Sequence, residues 1–241
     1  MTGLISFWNM IWPTLGEGLW ITLQLSIGSL LIGLGVGFPI ALARVYGPKG
    51  LRLFATAFTD VFRGTPLLVQ LFFFYYGLAD PGLNSFFEGL GFGRNFLVLA
   101  PMTAAYLALG LNSAAYQAEY FRGAIQSISS GQMIAARALG MSRLQAIIHI
   151  IMPQALRLVI APWSNEAAYM VKYTSVVSFI AVADLFGRTR QIMSRYYNQM
   201  TMLPFVGLIY LVLVLGITFL MHRLEKMVEI PGLEAEVDAR V

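Results

Sequence analysis

Cysteine is absent from the 241 residues, which excludes disulfides, thiolate metal sites and cysteine nucleophiles together. Lysine occurs only at Lys49, Lys172 and Lys226, none of them within a Gly-x-x-x-x-Gly-Lys-Ser/Thr phosphate cradle, so no ATPase P-loop is written here. His149 and His222 stand alone, without His-Glu-x-x-His or other metal-ligand spacing. No Gly-x-Ser-x-Gly elbow accompanies the serines, which leaves intramembrane hydrolysis without support. Charge itself is scarce. Charged residues make up 12% against 58% hydrophobic, and a mean hydropathy of +0.70 places the chain among membrane proteins.

The chain is instead rich in long apolar runs. Uncharged stretches extend from Gly18 to Ala43, Gly64 to Ala79, Asn95 to Ala118, and Tyr196 to Met221. At a helical rise of about 1.5 Å per residue, the first and last reach about 39 Å, enough for tilted crossings. The second is short. It becomes long enough if the helix starts near Leu53 and is interrupted at Arg63-Gly64-Thr65-Pro66, where proline removes a backbone donor. A broken helix in a membrane lines something. A further crossing is expected within Leu144 to Phe186, which carries His149, Arg157, Glu166, Lys172 and Asp184. The first apolar run is too long for a signal-peptide core and lacks a basic segment before it, so it is expected to remain as a crossing.

Five crossings put the termini on opposite sides. With the N-terminus outside, the cytoplasm receives Arg44, Lys49, Arg52, Arg63, Arg122, Arg137, Arg143, Arg157, Arg223, Lys226 and Arg240, and the exterior only Arg94, Arg188, Arg190 and Arg195. This asymmetry predicts an external N-terminus and a cytoplasmic C-terminus. It also accounts for most of the net charge of +4 without a nucleic-acid partner. The acidic tail, residues 229–241 with Glu234, Glu236 and Asp238, reads as a solvated end. The segment Arg188 to Arg195 is basic for an external loop, and fits either an acidic docking partner or a solvated helix on the membrane surface.

Polar residues inside hydrocarbon are functional candidates by default. Asn112, Tyr116, Glu119 and Gly123 fall within about 60° of one another on a helix, a polar stripe suited to a polar solute. Alternatively, Glu119 pairs with Arg122 and closes the helix at the interface. Glu166 and Lys172 stand about 240° apart on one helix and cannot pair directly. Tyr173, Thr174, Ser175 and Ser178 supply enough hydroxyls for a locally unwound backbone, or for bonds back onto their own helix. Gly33-x-x-x-Gly37 is a small-residue pair suited to close helix packing.

After the third run lies Ser127 to Pro153, polar, basic and able to form helix. Ala135, Ala136 and Ala138 offer a face without bulk, Gly140 suits a left-handed turn after it, and Pro153 punctuates the next segment. The positions Ala135, Ala136, Gly140, Ile150 and Pro153 resemble, in register, the A-A-x-x-x-G-(nine residues)-I-x-x-P cytoplasmic signature of ABC-importer permeases. Ile134 departs from it, standing where relatives carry an acid. Lys172-Tyr-Thr-Ser-Val-Val-Ser-Phe-Ile-Ala-Val-Ala-Asp184-Leu185 resembles a second signature, that of the polar amino-acid importers. Phe62-Arg63-Gly64-Thr65-Pro66 and Tyr116-Gln-Ala-Glu119-Tyr-Phe-Arg122-Gly123 resemble two more of that branch.

The resemblance implies an all-α membrane protein with the type I ABC importer permease fold: one domain, a five-crossing helical bundle with a cytoplasmic coupling helix at about residues 127–145. It implies ATPase coupling through Gln132, Ala135, Ala136, Arg137, Gly140, Met141, Ser142 and Arg143, a helix break at Gly64, Thr65 and Pro66, and a substrate pathway lined by Asn112, Tyr116, Glu119, Glu166, Lys172, Thr174, Ser175 and Asp184. It further implies two ATP-binding-cassette ATPase subunits that bind ATP and Mg, a second permease, an extracytoplasmic amino-acid-binding protein, and residence in a prokaryotic plasma membrane, with no cofactor in this chain. The rival reading is a self-sufficient secondary transporter or channel coordinating an ion with Glu119, Glu166 or Asp184. That reading predicts inverted internal repeats, and none is convincing here.

Overall fold

A computed structural model describes residues 2–196 and 198–228. The acidic tail, with Glu234, Glu236, Asp238 and Arg240, lies outside the described residues. Helix α1 spans Thr2–Tyr46 and α2 spans Lys49–Gly64. Helix α3, Leu67–Phe72, continues through a π-helical stretch, Phe73–Gly77. Then come α4, Pro81–Gly89, and α5, Pro101–Ser127. Two short helices are next, α6 at Ser130–Ala138 and α7 at Arg143–Ala146. A second π-helical stretch, Ile147–Ile151, leads into α8, Met152–Leu158, and α9, Ile160–Tyr173. A 3-10 segment, Thr174–Ile180, precedes α10, Leu185–Tyr196, and α11, Gln199–Val228. No strand occurs among the described residues.

Helices α1 and α5 are the central pair, and glycine brings them together. A Cβ on Gly37 would stand 2.5 Å from the Ala114 carbonyl oxygen, and one on Gly28 would stand 2.5 Å from the Tyr106 ring. Gly110 meets Ile32, and Gly33 meets Ser113 and Gln117. Residue numbers rise together along the seam, so α1 and α5 run parallel. Pro101 at the start of α5 suits a first helical turn, whose N–H has no partner to lose. The buried alanines Ala104, Ala105, Ala108, Ala114, Ala115 and Ala118 keep its flank narrow.

The next long segment runs the other way. Ala155 and Val159 pack with Ala41, Phe121 and Ile125 at one end of the bundle. Met170, Val177 and Ile180 pack with Leu25, Ala104, Ala108 and Leu71 toward the other. The α8–α9 segment is therefore antiparallel to α1 and α5. A third cluster joins Ile11 and Leu15 of α1 to Leu185, Ile192, Met202 and Val206 of α10 and α11. By length and apolarity, Asn9–Tyr46 and Gln199–Val228 can each cross a membrane, and the pair Arg143–Leu158 and Ile160–Ile180, bent by 47°, has the length and apolarity of a third span if its halves are taken together.

Candidate functional site: a polar seam and an exposed prong

Pro66 leaves a specific gap in the backbone. Continuing α2 as a helix would require the amide of residue 66 to donate to the Phe62 carbonyl, and proline has no such hydrogen. Gln70 Nε2 fills the vacancy at 2.8 Å, and Asn112 Nδ2 adds a second bond at 3.0 Å. Gln70 also donates to the Thr65 carbonyl and hydroxyl, and its own oxygen accepts from Asn112 Nδ2 at 3.1 Å. Thr65 caps α2 in extended conformation. The break at Gly64, Thr65 and Pro66 is thus braced by two side-chain amides. Asn112 belongs to that brace.

Beside Asn112 on α5, Ser113 begins a second network, facing α9. Glu166 is 3% exposed, and it accepts hydrogen bonds from the Ser113 hydroxyl at 2.7 Å and the Tyr120 hydroxyl at 3.3 Å. No cation lies within ion-pair distance of it among the described residues. Behind it, Gln117 donates to Ser113 Oγ and to the Leu30 carbonyl, and accepts from Trp163 Nε1 at 2.9 Å. Lys172 points elsewhere. Its ammonium lies 4.1 Å from the Tyr169 ring centroid, and with Ser175 it borders a cleft against Leu203, Val206 and Tyr210 of α11. Glu166 and Lys172 make no ion pair, as the spacing on one helix requires.

Glu119 accepts from Arg122 Nε at 2.7 Å, the pairing its sequence spacing allows, but also from Arg44 Nη1 at 2.6 Å, with Arg63 at 3.4 Å. Tyr116 sits beneath the Arg63 guanidinium, 5.3 Å from centroid to carbon. Thr174, Ser175 and Ser178 each donate to the carbonyl three residues earlier, and there the backbone tightens to 3-10 geometry. The hydroxyls bond back onto their own segment, which is wound more tightly rather than unwound. Thr174 and Asp184 are fully buried. Asp184 accepts from the Gly187 amide at 2.8 Å and the Tyr210 hydroxyl at 3.2 Å, which fixes the start of α10 against α11.

The prong formed by α6 and α7 is built by capping. Ser129 Oγ accepts from the Gly131 amide at the start of α6. At its end the Gly140 amide donates to the Arg137 carbonyl and the Met141 amide to the Ala136 carbonyl, a Schellman closure that requires the left-handed φ of +84° at Gly140. Ser142 and Gln145 then form a reciprocal capping box for α7. Ala136 packs inward, while Gln132, Ala135, Arg137, Gly140, Ser142 and Arg143 are exposed and Met141 is partly so. Ile134 and Leu139, 68% and 84% exposed, give the prong an apolar surface that nothing among the described residues covers.

Sequence reasoning missed Gln70, Ser113, Gln117, Tyr120 and Trp163. Proline, glycine and charge announce themselves; a polar side chain whose partner lies on another helix does not.

A helical membrane subunit with a braced break, a buried polar seam and an exposed, capped prong fits the class of a transport permease. The chain matches, over residues 29–230, the family described as binding-protein-dependent transport system inner membrane component, and it belongs to that family. It is 38% identical over 208 residues to the nopaline transport system permease protein NocM of Agrobacterium fabrum, covering 86% of this chain and 83% of that one. It is 34% identical over 226 residues to the glutamine transport system permease protein GlnP of Escherichia coli, covering 92% and 98%. Among solved structures it is similar to an amino acid ABC transporter crystallised with histidines, at TM-score 0.79 and 33% identity, covering 94% of this chain and 97% of that one. The MetNI methionine ABC transporter in an inward-facing conformation shares the fold at TM-score 0.73 and 20% identity, with 91% and 98% covered. The architecture is therefore the type I importer permease fold.

Proposed function

We propose that this chain carries a polar or charged amino acid across the plasma membrane by alternating access, as the permease subunit of an ATP-binding-cassette importer. The observation that carries the reading is the prong: a capped, exposed helix with a small-residue face and uncovered Ile134 and Leu139, suited to seat in a cleft of a separate ATPase. Gln132, Ala135, Ala136, Arg137, Gly140, Met141, Ser142 and Arg143 form or flank that contact, and ATP and Mg belong to the ATPase subunits, two per transporter. The permeases named for glutamine, nopaline, octopine and cystine support an amino-acid cargo.

The chain crosses the membrane five times, through α1, the broken α2–α3 pair, α5, the α8–α9 segment and α11, with its N-terminus outside and C-terminus cytoplasmic. Parallel α1 and α5 with an antiparallel α8–α9 support that order, as does the basic prong. A second permease completes the pathway, and an extracytoplasmic binding protein delivers the solute. Tyr116 and Glu166 line the pathway on one flank of α9, Lys172 and Ser175 on another. Asn112 braces the break, Thr174 and Asp184 hold the outer end, and Glu119 closes the inner end.

Proteoliposomes holding the permease with its cognate ATPase and binding protein take up labelled amino acid only when Mg-ATP is present on the ATPase side. Uptake driven by a proton or sodium gradient without nucleotide would overturn the reading in favour of a secondary transporter.

A further inference from the structure

One carboxylate at the cytoplasmic end of the seam faces three guanidinia. Glu119 is held at 2.6 Å by Arg44 and at 2.7 Å by Arg122, while Arg63 stands at 3.4 Å from the oxygen that Arg44 already occupies. Among the described residues none of the three arginines has a second carboxylate within 4.0 Å. Asp60, one turn before Arg63 on α2, makes no ion pair with it. Three cations against one anion leave two positive charges without an ion-pair partner in this cluster.

Arg63 is the loosest of the three. Its side chain is 40% exposed against 12% for Arg44 and 32% for Arg122. Its separation from Glu119 exceeds the usual N–H···O range. Releasing it leaves Glu119 with two short charge-assisted bonds, so no buried carboxylate is orphaned. Arg63 also sits at the border of the polar stripe: its guanidinium lies over Tyr116, and Tyr120, one turn further along α5, donates to Glu166 at 3.3 Å. Glu166, a carboxyl without an ion-pair partner, and Arg63, the loosest of the three cations, therefore each meet one of two tyrosines a turn apart on α5.

A loosely held, half-exposed guanidinium is the complement of a carboxylate. Resting on the amino-acid reading above, we infer that Arg63 binds the α-carboxylate of the transported amino acid and that Glu119 is its resting counter-ion, exchanged for substrate carboxylate as the solute passes. The planar guanidinium fork matches a carboxylate in two parallel bonds, which a neutral carboxamide cannot reproduce.

The test uses the assembled permease–ATPase complex in detergent and measures equilibrium binding of L-arginine, L-glutamine and L-histidine, each beside its α-carboxamide. Wild type is expected to favour the amino acid over its carboxamide by about tenfold or more for the cargo it takes. Arg63→Gln is expected to bind that amino acid about tenfold more weakly and to bring the two ligands level. Glu119→Gln, which releases Arg63, is expected to retain the carboxylate preference. Equal weakening of both ligands by Arg63→Gln, or an unchanged preference, overturns the assignment. If Arg63→Gln does not assemble, Arg63→Lys decides: a point charge without the fork gives an intermediate preference, and a wild-type preference overturns the inference. A wild-type complex that binds none of the amino acids and takes up none in proteoliposomes refutes the amino-acid reading itself, a distinct result.

Discussion

Fully enclosed between α1, α5 and α9, the Gln117 carboxamide donates to the Leu30 carbonyl and Ser113 hydroxyl and accepts from the Trp163 indole. Leucine at this position has similar volume and no polar atoms, so packing is nearly kept while the indole N–H and its neighbours lose their partner. Unsatisfied buried polar groups cost about 1–3 kcal/mol. Gln117→Leu is therefore expected to destabilise the solubilised bundle by that amount, read as a lowered midpoint of thermal unfolding. An unchanged midpoint would mean that the network contributes nothing to the fold. Glu119 and Glu166 stand out in the sequence because a carboxylate between apolar runs has few explanations. Gln117 does not, because its partners are Leu30 on α1 and Trp163 on α9, and an amide reads alike whether it meets water or another helix. The Phe62 carbonyl is similar: Pro66 announces that it loses its partner, yet nothing local says that Gln70 and Asn112 supply the replacement.

At the scale of elements, small residues decide how close helices come. The Gly33-x-x-x-Gly37 spacing predicts a close-packed pair, and α5 is the helix that meets it. Gly37 faces backbone, which cannot swing aside as a flexible side chain can. Gly35 has open space where its Cβ would be. Gly37→Ala is thus expected to separate α1 from α5 locally and cost about 1–3 kcal/mol, the usual penalty of overpacking. Gly35→Ala is expected to be neutral or to stabilise by up to about 1 kcal/mol, since alanine is the better helix former. Thermal unfolding of the two variants side by side checks the contrast, and equal effects would refute it. The break at Pro66 and the turn at Gly140 are legible in the sequence because each rests on one residue with unusual backbone chemistry. The π-helical stretches at Phe73–Gly77 and Ile147–Ile151 are not. Apart from Gly77 their residues are aromatic, isoleucine and histidine, which carry no local signal for a widened turn.

For the whole molecule, the bundle keeps its polar seam inside, turns the apolar Leu208, Leu211, Val212, Leu215 and Phe219 of α11 outward as hydrocarbon requires, and extends its prong beyond the packed core. The prong joins the bundle through α5 on one side and the α7–α8 segment on the other, so on the proposed coupling role its angle matters more than its own stability. Gly140 sets that angle. Its φ of +84° lies where a side chain costs about 1–2 kcal/mol, although no atom stands within 4 Å of where the Cβ would be. A β-branched residue therefore does not clash; it drives the backbone out of the left-handed region and breaks the bonds from the Gly140 and Met141 amides. Gly140→Val is expected to leave the bundle folded, with an unchanged unfolding midpoint, and to lower ATP-driven uptake by an order of magnitude or more. Asparagine visits the left-handed region with little strain, so Gly140→Asn is expected to retain most of the uptake. If valine and asparagine impair transport equally, exposed surface rather than backbone angle is what the ATPase recognises. If neither impairs it, the prong is not the point at which motion enters the membrane.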